Sequence, residues 1–492
     1  MDSKPLKKSK MGHRWVICGL LFFSSTTLVL DRQLLSILAE HMMYIFDWST
    51  VQYGWIANSF VFFYGIFMLV AGRFIDLVGT KRGLFWSFVV WNIASVLHAF
   101  APEIGRFIGL TMFRWNIVEC YAHLASFEQN PVVVVFGITN LAVSTSVIGF
   151  VVMRAILGIG EGGNFPAAMK ATAEWFPKKE RSFCTGLFNS GTNIGAIIAP
   201  ITIFGVFSLF NYDWRWVFVI LGGITLVWLI FWQMYYDSPA KMLAKGKITQ
   251  EEYDYIHSDN EGDEVVEKQT KENKTSFWKI FTYPQTWAFA IGKFLTDAVW
   301  WFFLLFLPLY LFQQFGLVLR DSWLLLMVVY TPAMFGSIYG GYFPKILMER
   351  GMTPYKARTL SMLGIALIPL VFLFAQPLSH VNVWIPVIFI GFGLAAHQAW
   401  SANLFTSVSD MFPKKAVGTV VGFGGFTGTL GVLLIVHFGS HLIDYHLALE
   451  AAGLGSVERA YGILFIFCAL AYLLAWAIMK ILVPKYKLIK DV

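Results

Sequence analysis

Two opposite charges stand side by side in an otherwise apolar stretch near the start of the chain. Asp31 and Arg32 interrupt the segment TTLVLDRQLLSIL, residues 26–38. A charge at the centre of a bilayer costs about 2.5–3.5 kcal/mol on insertion scales, so it is expected to face a wet cavity and a partner. Neighbours in sequence point about 100° apart on a helix. Each of the two side chains therefore needs a partner of its own.

The guanidinium of Arg32 can bind a carboxylate through two parallel hydrogen bonds. We interpret Arg32 as the clamp for an anionic substrate and Asp31 as a proton-binding site. A buried acid favours its neutral form when the neighbouring cation is taken by another anion. Substrate binding at Arg32 would thus free Asp31 to accept a proton. The alternative is that the two charges only neutralise each other.

A second acid and base lie seven residues apart, so that they share one face of a helix. Arg154 and Glu161 occupy a segment rich in small residues, and Pro166 breaks the helix soon after. We interpret Glu161 as a second proton-binding site and Arg154 as a structural or electrostatic residue. The alternative is a permanent ion pair between Glu161 and Arg154.

The second half of the chain carries a base and an acid four residues apart. Lys293 and Asp297 lie on one helix face, which predicts an intrahelical ion pair, with substrate contact as the rival role. Trp301 follows them. Its ring could stack against a substrate, although tryptophan is also common at membrane edges.

Polar side chains in apolar segments are candidate hydrogen-bonding groups for the same substrate. They are Asn189, Asn193, His397, Gln398 and Ser401. Asn189 and Asn193 are four residues apart, as are His397 and Ser401, so each pair shares a helix face. Hydrogen bonding between helices and ordinary packing are the alternatives.

The elements that must position these residues are membrane helices. The chain has 492 residues, of which 57% are apolar and 14% charged, whereas soluble domains have about 25% charged residues. About 20 apolar residues suffice for a helix to cross the hydrocarbon core. Twelve such spans lie near residues 15–38, 53–72, 84–101, 139–160, 183–209, 215–236, 286–312, 322–344, 359–376, 383–408, 416–437 and 460–483. The fold class is therefore an all-α membrane protein.

Basic residues predict how these spans are oriented. Of 37 lysines and arginines, 29 fall in segments on the same side as the N-terminus and 5 on the other side. Because basic loops stay in the cytoplasm, both termini are predicted to be cytoplasmic. This asymmetry also accounts for the net charge of +7 without a nucleic-acid partner. The scattered cysteines and the histidines of VHFGSHLIDYH predict neither a disulfide framework nor a metal site.

A polar linker, residues 237–285, divides the chain into two six-span halves, 1–236 and 286–492. Residues 102–138 form a long connection within the first half, which we interpret as a periplasmic insertion. The halves share short matches: FPKK begins at Phe176 and again at Phe412, and glycines recur at the same offset further on. These matches indicate an internal duplication, and duplicated bundles commonly bind their substrate between the halves.

The loop GRFIDLVGTKRG, residues 72–83, resembles the signature of the major facilitator superfamily. RAILGIGEGGNFPAAMKATAEWFPKKERS and FNSGTNIGAIIAP resemble its anion:cation symporter family, and KFLTDAVW, GFGLAAHQAWSANLFTSVSDMFP and KITQEEYDYI are similar to the bacterial hexuronate transporters. The resemblance implies two pseudo-symmetric six-helix bundles with alternating access. We interpret the loop residues as a conformational latch; they are Gly72, Asp76, Gly79, Lys81 and Arg82.

The resemblance implies proton-coupled symport of glucuronate or galacturonate into the cell across the inner membrane. The sequence offers no nucleophile–base constellation, so we expect no enzymatic activity, and we expect no cofactor. The alternatives are another sugar acid such as galactonate, sodium as the coupling ion, or a sensor that binds without transport. We expect a monomer surrounded by the lipid bilayer.

Overall fold

The computed structural model describes residues 12–114, 133–135, 142–258, 277–412, 414–485 and 489. The helices are α1 His13–Ile37, α2 Ala39–Phe46, α3 Thr50–Val78, α4 Thr80–Leu97, α5 Ala101–Arg114, α6 Thr145–Glu161, α7 Asn164–Trp175, α8 Lys178–Leu209, α9 Trp214–Tyr235, α10 Pro239–Ala244, α11 Gln250–Ile256, α12 Pro284–Phe315, α13 Leu319–Glu349, α14 Pro354–Leu367, α15 Phe372–Ala375, α16 Trp384–Met411, α17 Lys414–Ala451 and α18 Val457–Leu482. Short 3₁₀ segments lie at His98–Phe100, Phe277–Thr282 and Ile368–Val371. Two strands, β1 Val133–Val135 and β2 Ala142–Ser144, pair antiparallel.

Within these described ranges, eleven stretches of helix are long and apolar enough to cross a membrane. They correspond to eleven of the twelve predicted spans. α3, with 29 residues and a length of about 44 Å, takes the place of the second span. The fourth span comprises α6 and α7, and the ninth comprises α14 and α15 with the 3₁₀ turn between them.

Local signals set several of the helix ends. α3 begins with a capping box, in which the Ser49 side chain accepts from the Gln52 backbone and the Gln52 side chain accepts from the Ser49 backbone. It ends at Gly79, whose φ of 84° is open to glycine but strained for other residues. Gly316 ends α12 in the left-handed region for the same reason.

The two halves repeat the same close helix contacts. Gly195 of α8 packs against the Thr26 carbonyl of α1, and Gly431 of α17 packs against the Phe294 carbonyl of α12. Gly431 lies 236 residues after Gly195, and Phe294 lies 268 residues after Thr26. The same two offsets relate the contact of Gly191 with Phe22 to the hydrogen bond from Thr427 to the Ala290 carbonyl. The duplication indicated by the FPKK matches is thus present in the helix packing.

The bundles meet along α3 and α17, along α8 and α13, and where α1 approaches α12. The Thr50 backbone N–H donates to Asp444, and the Ser36 hydroxyl donates to the Leu304 carbonyl at 2.8 Å. Further along, Gly65 packs against the side chain of Thr429. We call the end of the molecule that holds Arg14, Lys81 and Lys480 the basic end, and the other the opposite end. The described contacts between the bundles reach from the opposite end to the middle of the molecule.

Part of the linker docks on the first bundle at the basic end. Glu252 of α11 accepts from the Arg14 backbone N–H at 3.2 Å, and the Tyr255 hydroxyl donates to Glu180 at 2.6 Å. Arg14 and Glu180 also form an ion pair at 3.3 Å. The linker therefore contains a helix that ties the starts of α1 and α8 together, while residues 259–276 lie outside the described ranges.

Three segments differ from the sequence-based boundaries. The fourth span, predicted at 139–160, begins at Thr145 after β2 and continues through α7 to Trp175. α17 continues to Ala451, well past residue 437, so the eleventh span extends further toward the opposite end than predicted. The start of the predicted insertion is helical: α5 packs on α6 with Gly105 against the Thr145 carbonyl and Gly149 against the Ala101 carbonyl, contacts that leave no room for a side chain. Residues 115–132 and 136–141 lie outside the described ranges, and the periplasmic role of 102–138 stays a prediction.

Candidate functional site

Arg32 pairs with Glu161 in the middle of the first bundle. The Arg32 Nε donates to Glu161 Oε2 at 2.6 Å, and the two side chains are 11% and 0% exposed. One atom on each side is left over: Arg32 Nη2 and Glu161 Oε1 have no hydrogen-bond partner among the described residues. The partner of Glu161 is therefore Arg32 of α1, and not Arg154 of its own helix as one alternative had it.

Aromatic rings surround the Arg32 guanidinium. Its Cζ atom lies 4.5 Å from the ring centre of Tyr64, 5.2 Å from that of Trp301 and 5.6 Å from that of Phe60. The faces of aromatic rings attract cations, and this attraction grows when water is excluded. Trp301 belongs to the second bundle, whereas Tyr64 and Phe60 belong to α3 of the first. The two bundles therefore meet at Arg32 through ring faces.

Asp31 points away from Arg32, as the helical geometry requires. It is 3% exposed and accepts hydrogen bonds from the Trp91 indole and from the Ser95 hydroxyl, the latter at 2.7 Å. Both donors are on α4. Such hydrogen bonds favour the charged form of an acid, whereas its burial favours the neutral form. The two neighbours in sequence thus serve two different helix contacts, Asp31 toward α4 and Arg32 toward α6.

Arg154 completes a set of four buried charges. It is 3% exposed, its Nε has no hydrogen-bond partner among the described residues, and it lies within electrostatic reach of Asp31 and Glu161. Arg154 and Arg32 line one small cavity, which holds about 260 Å³ counting its open part. The rest of its wall is apolar or aromatic and consists of Leu35, Tyr53, Ala57, Phe60, Trp301 and Leu305. Two arginines and no acid face this cavity, which suits it to an anion.

Another polar contact between the bundles lies near the site. Gln398 of α16 donates to Asn193 of α8 at 3.0 Å. Asn193 is 5% exposed, but Asn189, one turn away, is exposed. The structure thus brings two of the predicted hydrogen-bonding residues together, in a contact that would have to open before either could bind a substrate.

The other predicted residues of the second bundle form a cluster of their own. The His397 ring contacts the Tyr472 hydroxyl at 2.9 Å and stacks on Trp300 with ring centres 5.1 Å apart. Lys293 and Asp297 form an ion pair at 2.7 Å with both side chains at most 15% exposed. Ser401 is partly buried on α16. In this arrangement the polar groups of His397, Lys293 and Asp297 are satisfied inside the second bundle.

The predicted latch lies at the basic end. Gly79 ends α3, and the Lys81 ammonium donates to the Gln233 carbonyl at 3.1 Å and lies 3.7 Å from Asp237. Burial alone would raise the pKa of Asp237, but hydrogen bonds from Lys245 and the Ser238 backbone, with the charge of Lys81, hold this pKa below its usual range. These contacts stay within the first bundle. Arg82 is exposed, Gly72 lies within α3, and the side chain of Asp76 lies outside the described part.

Several residues of the site carry no sequence signal. Tyr53, Phe60 and Tyr64 lie among many other aromatic residues of the second span, and 17% of the whole chain is aromatic. Trp91 and Ser95 look like ordinary residues of an apolar helix. Their spacing of four, one helical turn, places both on one face and is the one pattern that could have indicated a shared partner.

The comparisons with known proteins agree with this architecture. The family model of the Major Facilitator Superfamily matches residues 21–114 and 132–436. The hexuronate transporter of Escherichia coli (strain K12) is 27% identical over 95% of this chain and 94% of its own length. The galacturonate transporter of Dickeya chrysanthemi is 28% identical over 69% of this chain and 83% of its own.

Solved structures show the same fold at lower identity. A bacterial homologue of the human lysosomal transporter Spinster, in an inward-facing conformation, has a TM-score of 0.67 at 16% identity and covers 96% of this chain and 98% of its own. A D-xylose–proton symporter has a TM-score of 0.66 at 16% identity and covers 94% and 97%. The chain is therefore a multi-pass membrane transport protein, not an enzyme, and it belongs to the major facilitator superfamily.

Proposed function

We propose that this protein is a secondary transporter that carries a hexuronate anion, glucuronate or galacturonate, together with a proton by alternating access. The observation that carries the proposal is the Arg32–Glu161 pair. It lies beside an anion-suited cavity, and Arg32 Nη2 has no partner among the described residues. The relatives named hexuronate and galacturonate transporters support the choice of substrate.

The buried charges of the site support coupling to one proton. Asp31, Glu161, Arg32 and Arg154 together carry a formal charge of zero. A bound monoanion would leave this buried set with one excess negative charge, and charge is expensive where water is scarce. Uptake of one proton restores neutrality. The charge count therefore favours at least one proton for each monoanion.

Competition for Arg32 gives that coupling a physical route. The substrate carboxylate binds the guanidinium in place of Glu161. Glu161, which is fully buried, would then lose its hydrogen-bonded cation and keep only the more distant charge of Arg154, and protonation reduces that penalty. Asp31 is the second candidate proton site, although its two donors from α4 favour its charged form. Glu161 is accordingly the first choice as the coupling acid.

Residues from both bundles would recognise the sugar ring. Trp301 already lies over Arg32, where its ring face can cover the ring of a bound hexuronate. Asn193 and Gln398 would exchange their mutual hydrogen bond for substrate hydroxyls, with Asn189, His397 and Ser401 as further candidates. Lys293 and Asp297 would serve as a structural ion pair, and the loop residues from Gly72 to Arg82 as the latch.

The basic end is proposed to face the cytoplasm of a bacterial cell, with both termini on that side of the inner membrane. The excess of lysine and arginine at that end supports this orientation. Because the described contacts between the bundles lie toward the opposite end, the structure fits a state closed to the outside.

The second candidate keeps the fold and changes the cargo. A relative of 25% identity is named a D-galactonate transporter, so another sugar acid is the main alternative. Sodium could also replace the proton, because two acids and nearby amide oxygens suit a hard cation.

Flux into proteoliposomes tests the proposal. Purified protein should accumulate radiolabelled glucuronate or galacturonate when the outside is acidic, without sodium, and Arg32→Ala should abolish this uptake. Competition with unlabelled galactonate ranks the cargoes. Uptake that requires sodium and ignores the pH gradient would contradict proton coupling, and binding without any flux would show a sensor.

A further inference from the structure

A second and larger cavity lies inside the second bundle, at the basic end and away from the Arg32 site. It holds about 570 Å³ counting its open mouth. Helices α12, α14, α16 and α18 form its wall, and three of them line it over matching lengths, residues 355–362, 404–411 and 476–483. Each length is two helical turns, so the cavity extends about 10 Å along the helices. Neither the transport mechanism nor the latch uses it.

The part of this cavity farther from the helix ends is mainly apolar. Phe289, Met362, Leu404 and Trp476 line it there, Met411 and Met479 lie nearer the mouth, and Thr359 and Ser407 add two hydroxyls to the wall. Methionine side chains are flexible and fit irregular apolar guests. A sugar acid, with a hydroxyl on nearly every carbon, would lose its hydrogen bonds to water against such a wall. The wall therefore fits a hydrocarbon chain.

The mouth of the cavity is basic. Lys480 lies in the last turn of α18 and Arg358 in the first half of α14. The Lys480 ammonium donates to the Tyr355 hydroxyl at 2.7 Å and to the Pro484 carbonyl at 3.3 Å. Both acceptors are neutral, and no carboxylate of the described residues lies within 4.0 Å of this ammonium. Lys480 therefore offers a positive charge that its described neighbours do not neutralise.

We propose that this cavity binds one anionic phospholipid, with the phosphate at Lys480 and part of an acyl chain between α14, α16 and α18. Three features point to this ligand: the cationic mouth, the apolar depth and the position at a helix end, where headgroups lie. Basic pockets between membrane helices bind lipid phosphates in this way. A zwitterionic lipid brings its own cation to the mouth and gains less from Lys480.

Native mass spectrometry of the full-length protein, delipidated in detergent, tests the proposal. Phosphatidylglycerol and phosphatidylcholine with identical chains are added in turn, and the lipid-bound fraction is measured. The wild type should bind phosphatidylglycerol at least tenfold more tightly than phosphatidylcholine. Lys480→Met should remove this preference, and Lys480→Arg should retain it. Lys356→Met, which removes an exposed lysine of α14 at the same end of the bundle, is the matched control and should bind like the wild type.

Two further measurements show whether the headgroup alone or the whole lipid is bound. Glycerol phosphate, which has the headgroup charge without chains, should fail to compete with phosphatidylglycerol. Met362→Trp, which fills the deep wall, should weaken binding tenfold while the protein still elutes as a single species. Three results would each overturn the proposal: equal binding of the two lipids by the wild type, an unchanged preference for phosphatidylglycerol in Lys480→Met, or full competition by glycerol phosphate.

Discussion

Replacement of Glu161 by glutamine separates substrate binding from proton coupling. In the proposed mechanism, the substrate displaces from Arg32 a carboxylate whose Oε2 lies 2.6 Å from Arg32 Nε. A hydrogen bond to a charged group contributes about 1.5–3 kcal/mol, which is about 10- to 150-fold in a binding constant. Glu161→Gln removes this competitor without changing the size of the side chain. We therefore expect substrate to bind the variant more tightly than the wild type by up to that factor.

The pH dependence of substrate binding should also differ between the wild type and Glu161→Gln. Wild-type binding should weaken as pH rises, because Glu161 must gain a proton when the substrate takes Arg32. Glutamine carries no proton to exchange, so binding by Glu161→Gln should be nearly independent of pH between about 5.5 and 8. In proteoliposomes the variant should still exchange internal for external substrate. It should no longer accumulate substrate in response to a pH gradient.

Thermal unfolding in detergent provides an independent readout. Removal of one partner from a buried ion pair costs about 3–5 kcal/mol, so Glu161→Gln should melt earlier than the wild type without substrate. Added substrate returns an anion to Arg32 and should raise the melting temperature of the variant more than that of the wild type. Glu180→Gln is the matched control, since Glu180 pairs with Arg14 at the basic end, away from the cavity. The reasoning is refuted if Glu161→Gln still concentrates substrate against a gradient at the wild-type rate.

Three further changes test other contacts. Arg32→Lys keeps the charge but loses the planar fork, so uptake should fall at least 100-fold; near-normal uptake would exclude a bidentate clamp. Asp444→Ala removes the acceptor that joins α17 to the start of α3. In a cysteine-free background, a cysteine introduced at Ala57 should then react faster with an impermeant thiol reagent added outside. An unchanged reaction rate would show that this contact does not hold that end closed. Oxidation with diamide should join Cys18 to Cys184, whose Sγ atoms lie 3.2 Å apart, as a linked peptide seen by mass spectrometry; unlinked peptides would argue against the described packing of α1 on α8.

The positions of the spans could be predicted because hydropathy is a property of consecutive residues. The Lys293–Asp297 pair could be anticipated for the same reason, since its partners are one helical turn apart. Spacing along one helix suggested Arg154 as an alternative partner of Glu161. The partner in the structure is Arg32, 129 residues away. Helical periodicity finds partners on the same helix, and the choice between helices depends on how the bundle packs.

The partners of Asp31 show the same limit. The sequence requires Asp31 and Arg32 to point in different directions, and they do. Nothing in the sequence assigns Asp31 to Trp91 and Ser95, because an indole and a hydroxyl are common in membrane helices. The aromatic rings around Arg32 could not be chosen among the 85 phenylalanine, tyrosine and tryptophan residues of the chain. Their role depends on where α3 and α12 cross α1.

All four buried charges of the site belong to one bundle, and the other bundle covers them with the ring of Trp301. A rocking motion between the bundles can therefore slide an aromatic surface across the arginine without pulling an acid away from a base. The four charges would move together with the first bundle as one rigid body. Whether substrate is bound would determine their protonation. The barrier to reorientation would then come mainly from apolar contacts and from hydrogen bonds such as the one that Thr50 donates to Asp444, so the packing of the bundle surfaces would control the speed of the cycle.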